Sequence, residues 1–261
     1  MRVNNVKMKW GKGEPAFGAW LAIPSSFSAE IMANQGYDYI CIDMQHGMID
    51  YQTAVTMLQA ISTTDATPFV RVPWNEPGII MKMLDAGAMG VVIPMVNTVE
   101  EAKAAVGACR YAPEGYRSFG PVRASIYAGS DYFKHSNDEV ACIPMIETTT
   151  ALENLDDILE VPGINAVYVG PADLSITLGQ SPAMDNDGAF EEARLSIAAA
   201  CARHNVVAGI HANAGLAQKH QDAGFQMVTI SSDQGAMASS ARQDIKVVYG
   251  STREGGNPSY R

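Results

Sequence analysis

A chain of 261 residues with 47% hydrophobic and 18% charged residues has the balance of an ordinary globular protein and leaves no room for a disordered block. Its formal net charge of −10 speaks against nucleic acid or an anionic membrane as a partner, since neither is drawn to an acidic surface. Small anionic ligands, which respond to local charge, stay open. Met1 to Pro15 is polar and basic without a signal-like apolar run, and no later run is long enough to span a bilayer, so a cytoplasmic protein is expected.

From Phe17 onward the chain repeats one unit, a short apolar run followed by an amphipathic stretch. The predicted strands are Phe17–Ile23, Tyr37–Asp43, Phe69–Val72, Gly90–Pro94, Ala141–Ile146, Ala166–Gly170, Val206–Ile210 and Met227–Ile230. Their Val and Ile content and near-continuous hydrophobicity suit strands buried on both faces. The predicted helices are Phe27–Gln35, Tyr51–Thr63, Gly78–Ala86, Thr98–Ala108, Ala151–Glu160, Phe190–His204 and Gly215–Ala223. Stop signals agree: Gly36, Gly87 and Gly224 each close a helix shortly before a strand. Asn97-Thr98 followed by Glu100 and Glu101 is a capped start with acid in the first turn.

This rhythm predicts one closed (β/α)8 barrel over residues 1–261, with a polar tail from about residue 251. An open doubly wound sheet is the alternative, but no Gly-x-Gly-x-x-Gly follows the first strand. Two segments break the pattern. Arg110 to Asn137 is read as a functional loop over one barrel end, and Pro171 to Asp187 as a second long loop. Cys41, Cys109, Cys142 and Cys201 lie far apart with no zinc-like spacing and are expected to be buried free thiols.

Barrel enzymes collect their chemistry where strands end and βα loops begin. The second predicted strand ends in Asp43-Met44-Gln45-His46-Gly47 and the third at Arg71. The fifth ends at Glu147-Thr148 and the sixth in Gly170-Pro171-Ala172-Asp173. An acid–base group, a guanidinium and two carboxylates at one mouth suit a hard divalent cation beside a proton-transfer residue. Each residue also has a structural reading. His46 could be bonded to Asp43, Arg71 paired with Glu76 or a rim carboxylate, Glu147 and Asp173 helix caps, and Asp85 a solvated acid. His211, Trp74, Phe119, Tyr127 and Arg123 are expected to line an outer pocket.

Taken in order, several segments resemble the HpcH/HpaI aldolase family over roughly residues 14 to 240. They include Phe17-Gly18-Ala19-Trp20, Ile42-Asp43 running into Gln45-His46-Gly47, Val70-Arg71-Val72, Leu84-Asp85-Ala86-Gly87-Ala88 and Ile93-Pro94-Met95-Val96. Tyr116-Arg117-Ser118, Ile146-Glu147-Thr148 and Gly170-Pro171-Ala172-Asp173-Leu174-Ser175 follow, the last being the most specific. The chain looks like the metal-dependent class II pyruvate aldolases that act on 4-hydroxy-2-oxoheptanedioate or 2-dehydro-3-deoxyglucarate.

The resemblance implies that Glu147 and Asp173 hold Mg²⁺, Mn²⁺ or Co²⁺, and that His46 is the acid–base residue. Asp85 would raise that histidine's basicity, with Asp43 an alternative partner for its ring, and Arg71 would stabilise a developing enolate. Backbone groups of Ala172 and Asp173 would hold the donor carboxylate, and Ser118 and Met145 occupy further substrate-binding positions. Met145 departs from the pattern, since members cleaving long 2-oxo diacids often carry Gln there. The resemblance also implies a homohexamer with an exchanged terminal helix and Asp85 acting across a subunit boundary.

The expected activity is reversible retro-aldol cleavage of a 4-hydroxy-2-oxo acid to pyruvate or hydroxypyruvate and an aldehyde. No lysine falls at a predicted strand end, which argues against a Schiff base, and no nucleotide cofactor is expected. Rival readings are a 2-oxo-diacid decarboxylase, an acyl-CoA lyase with Arg117 and Arg123 as the available phosphate partners, and a non-catalytic metabolite-binding barrel.

Overall fold

The computed structural model, which describes residues 1–251, realises each predicted apolar run as a strand of one parallel sheet. The strands are β1 (Ala16–Leu21), β2 (Tyr39–Asp43), β3 (Thr67–Arg71), β4 (Gly90–Ile93), β5 (Ala141–Ile146), β6 (Ala166–Val169), β7 (Val207–His211) and β8 (Met227–Ser232). Each pairs with the next, and β8 pairs back to β1, closing the barrel in chain order. Closure leaves no sheet edge, so no backbone polar group of an edge strand needs other cover.

Two cores explain why the strands look hydrophobic throughout. Ile40, Ile42, Val70, Val91, Ile93, Val167 and Val169 face outward and pack against the surrounding helices. The alternate residues Tyr39, Cys41, Phe69, Val92, Ile143, Met145, Tyr168 and Met227 fill the barrel interior. With both faces buried, the period-two pattern of side chains is masked in the sequence but intact in space. All four cysteines are free and buried.

The N-terminal end of the barrel is plugged. A short helix, Asn5–Trp10, adds Val6 and Trp10 to the interior cluster. The Trp10 indole N–H donates to the carbonyl of Gln226 at 3.1 Å, and the Asn4 amide donates to the carbonyls of Met89 and Glu139 at 3.0 and 2.9 Å. Entry to the interior is therefore from the opposite, C-terminal end.

Helix Val99–Cys109 begins as its sequence predicts. The Thr98 hydroxyl oxygen accepts from the Glu101 amide, and the Glu101 carboxylate accepts from the Thr98 backbone amide. At Gly87, φ is +104° and a Cβ would lie 2.6 Å from an Arg123 nitrogen, so only glycine serves both the turn and the contact.

The segment after Arg110 differs from its expected role. It contains two helices, Val122–Ala128 and Tyr132–Glu139, and it joins the end of a barrel helix to the start of β5. A connection of that order lies at the N-terminal end of the strands, the plugged end. Arg123 confirms the placement by donating to the carbonyls of Ala86 and Leu58 and to Ser62 Oγ, all at helix C-termini. Residues 171–187 start with helix Pro171–Thr177, and the connection that follows is pinned by Lys219 Nζ, 2.9 Å from both Asp185 carboxylate oxygens. The last described helix, Asp233–Tyr249, leaves Met237, Val247 and Val248 largely exposed. Among the described residues no helix is long and apolar enough to cross a membrane. The polar tail expected from about residue 251 falls almost wholly outside the described residues.

Candidate active site

The inward series of each strand, continued to the C-terminal end, delivers the polar groups. On β2, Tyr39 and Cys41 lead to Asp43; on β3, Phe69 leads to Arg71. On β5, Ile143 and Met145 lead to Glu147, and on β7 the series ends at His211. The apolar layers below thus set which way the polar ends point.

Asp43 and Arg71 are direct partners across β2 and β3. Arg71 Nε donates to Asp43 Oδ1 at 2.9 Å and Nη2 to Oδ2 at 2.6 Å, a bidentate, largely buried pair. Asp43 Oδ1 also accepts the backbone amides of Gln45 and His46 at 3.0 and 3.3 Å. Burial works to raise the Asp43 pKa, but the Arg71 hydrogen bonds and charge outweigh it and hold the carboxyl below its ordinary value. The guanidinium lies over the Trp20 ring, 5.1 Å from its centroid. Glu76, the other partner considered for Arg71, instead caps its own helix.

Glu147 is buried, and its Oε1 accepts the Met95 amide at 2.9 Å. Burial, opposed by that amide and reinforced by the charge of Asp173, raises its pKa to about 7, while Arg71 lowers it. Glu147, Asp173 and Arg71 therefore share one electrostatic environment. Gly170 keeps the space beside the carboxylate open, since a Cβ there would lie 2.5 Å from Glu147 Oε2 and 3.1 Å from Met145 Cε. Asp173 and Ala172 stand exposed in the first turn of helix Pro171–Thr177, where backbone amides lack intrahelical acceptors.

His46 is exposed on the turn after β2. Its ring meets no hydrogen-bonding partner in this chain among the described residues; Asp43 binds its backbone amide instead. Asp43, the alternative partner for that ring, accepts here from the Arg71 guanidinium and the two backbone amides. Asp85 ends helix Pro77–Asp85 at the plugged end of the barrel, where it accepts from Arg117 Nη2 at 2.7 Å. Ser118, Phe119, Arg123 and Tyr127 belong to the segment at that same end, so within one chain none of them lines the mouth. Trp74, exposed on the loop after β3, is on the mouth side.

His211 does reach the mouth, in company that sequence reading missed. Its Nδ1 lies 3.2 Å from the Tyr168 hydroxyl, which lies 2.6 Å from Thr229 Oγ1. Trp20 stacks on Tyr168 with centroids 5.2 Å apart and meets His211 edge-on at 5.3 Å. The signal was present: Tyr168 is two residues before Gly170, and Thr229 two after Met227, both in inward series.

The profile of the HpcH/HpaI aldolase/citrate lyase family matches residues 16–240. A hydroxypyruvate/pyruvate aldolase of Rhizorhabdus wittichii is 42% identical over 248 residues, covering 93% of this chain and 98% of that protein. A 4-hydroxy-2-oxo-heptane-1,7-dioate aldolase of Salmonella arizonae is 38% identical over 237 residues, 88% of each chain. Among solved structures, an HpcH/HpaI aldolase/citrate lyase family protein from Burkholderia cenocepacia superposes with a TM-score of 0.89 at 32% identity, covering 95% of this chain and all of that one. With the barrel and its acidic mouth, these likenesses make the chain an enzyme of carbon–carbon bond cleavage, a lyase of the aldolase type. It belongs to the HpcH/HpaI aldolase/citrate lyase family.

Proposed function

We propose that the protein catalyses the reversible retro-aldol cleavage of a 4-hydroxy-2-oxo acid to pyruvate or hydroxypyruvate and an aldehyde. The observation that carries this reading is the juxtaposition of Glu147, Asp173 and the Asp43-clamped Arg71 at one open barrel end. Two carboxylates next to a gap kept clear by Gly170 are a hard oxygen donor set, which suits Mg²⁺, Mn²⁺ or Co²⁺. Burial and mutual repulsion penalise the ionised Glu147 without a cation, and a divalent ion removes that penalty. Held by Glu147 and Asp173, such an ion supplies Lewis-acid stabilisation of negative charge on the oxo-acid fragment.

The remaining steps fall to the chain's own residues. Arg71, fixed by Asp43 and by Trp20, presents charge where the C2 oxygen becomes negative. First-turn amides of Ala172 and Asp173 hold the substrate carboxylate. His46 takes the proton from the C4 hydroxyl as the C3–C4 bond breaks; the bond's electron pair stays on the three-carbon fragment, and the aldehyde leaves. Return of that proton from His46 to C3 restores the neutral imidazole and completes the cycle.

Asp85 can serve His46 only from a second copy of the chain. The exposed Phe119, Val122, Ile126 and Phe133 beside it, with the exposed apolar residues of the last helix, support a homo-oligomer, read here as a hexamer with an exchanged terminal helix. Its sedimentation would exceed that of one chain, and Ile126→Glu would lower both assembly and activity.

The test is direct. Pyruvate or hydroxypyruvate with an aldehyde should give the aldol product, with activity abolished by EDTA and restored by Mg²⁺ or Mn²⁺. Deuterium exchange into the pyruvate methyl should vanish in His46→Ala. Full turnover after exhaustive chelation would overturn the reading.

A further inference from the structure

Beneath the mouth, a chain of hydroxyls runs along the barrel interior to His211. Tyr39 Oη lies 2.9 Å from Thr229 Oγ1, Thr229 Oγ1 lies 2.6 Å from Tyr168 Oη, and Tyr168 Oη lies 3.2 Å from His211 Nδ1. Tyr39, Thr229 and Tyr168 are buried from water, and none has another side-chain hydrogen bond among the described residues.

The direction of this chain follows from counting protons. Each hydroxyl carries one proton, and the sequence of groups offers one link per hydroxyl. If Nδ1 accepts, Tyr39 donates to Thr229, Thr229 to Tyr168 and Tyr168 to His211, and every proton is used. If Nδ1 carried a proton and donated, one hydroxyl proton would be left buried without an acceptor. An orphan of that kind biases the equilibrium by about 5- to 150-fold. His211 is thus the tautomer with its proton on Nε2. Burial and the neighbouring positive charge of Arg71, opposed by Asp43, hold its pKa at about 4, so the ring stays uncharged at neutral pH.

Nε2 is the ring's remaining polar edge. The residue is partly exposed, at the C-terminal end of β7, and no protein group among those described accepts from it. It offers a neutral, pre-aimed donor beside the Asp43–Arg71 pair. A neutral donor adds no charge, and so does not itself demand an anion, but a methyl group placed against it leaves the N–H unpaired.

We propose that the Tyr39–Thr229–Tyr168 hydroxyl chain fixes His211 as an Nε2–H donor that selects substrates bearing a hydroxyl next to the carbonyl carbon over their methyl counterparts. The proposal rests on the aldolase reading above for where substrate sits. The hydroxyl could come from the oxo-acid donor, as in hydroxypyruvate against pyruvate, or from the aldehyde, as in glycolaldehyde against acetaldehyde. Tyr168 and Thr229 are positioning residues, acting only through the imidazole.

The experiment uses the full-length protein with Mg²⁺ and ¹⁵N-labelled histidine. The His211 spectrum should show an acceptor-type Nδ1 and a protonated Nε2, and Tyr168→Phe should convert it to a mixture of tautomers. Adding each of the four compounds separately, the Nε2–H signal should move with a hydroxylated compound and not with its methyl partner; the pair that responds identifies the source. In turnover, His211→Leu should cut the kcat/KM preference for the hydroxylated member of that pair over its methyl partner by about 3- to 10-fold. A protonated Nδ1, an Nε2 signal deaf to both hydroxylated compounds, or an unchanged preference in His211→Leu would each overturn the proposal. If no pair is turned over at all, the aldolase reading fails, while the tautomer and titration spectra still decide this one.

Discussion

Arg71 shows how one side chain can be placed by three independent contacts. Strand register sets it opposite Asp43, two hydrogen bonds fix its plane, and Trp20 covers one face. Lysine would keep the charge but lose the bidentate fork and the flat stacking surface. We therefore expect Arg71→Lys to lower kcat by about 10²- to 10³-fold with a small change in melting temperature. Arg71→Ala should instead cost about 3 to 5 kcal/mol in urea unfolding, because it leaves the buried Asp43 carboxylate alone. A Lys variant with near-normal kcat would remove Arg71 from the chemistry. His211 belongs to the same scale. Its position was legible because it follows an apolar run, but its tautomer was not, since that depends on hydroxyls brought from β2, β6 and β8.

Among elements, the strands and most helices could be read from the chain because apolar runs, caps and closing glycines agree at each boundary. The short helix Asn5–Trp10 could not; six residues are too few for an amphipathic period to stand out. Residues 110–137 hide their two helices for a different reason. Their length and their Gly, Pro, Tyr and Arg content point to a functional loop, although their order in the chain, after a helix and before a strand, already assigns them to the N-terminal end. What the aromatics do is pack together: Tyr111, Phe119 and Phe133 form a mutual cluster with Arg117 over Tyr111. Arg123 ties this segment to two barrel helices. Arg123→Ala should thus lower the melting temperature while leaving KM for the oxo acid within about twofold; a large selective rise in KM would return Arg123 to the substrate.

For the whole molecule, pH acts through buried imidazoles. His220 is fully buried between Arg194 and Phe225, and burial together with the Arg194 charge lowers its pKa to about 4. A base whose folded pKa is depressed gives stability that is present above the unfolded value near 6.5 and is lost as pH falls toward 4. His211 contributes with the same sign. Each is worth at most about 3 kcal/mol. Urea unfolding of the wild type should show stability declining between pH 6.5 and 4.5, and His220→Gln should shrink the decline by about one proton's worth. An identical pH slope in the variant would show that His220 is not buried neutral.

The residue that hydrogen-bonds Glu147 is itself in an uncommon backbone state. Met95, which donates its amide to that carboxylate, has φ of +56°, the left-handed region that non-glycine residues visit at a cost of about 1 kcal/mol or more. Glycine at 95 would relieve that tension but also loosen the denatured chain by a comparable amount. The two nearly cancel, so Met95→Gly should leave the fold's net stability level while keeping in place the backbone amide that anchors Glu147.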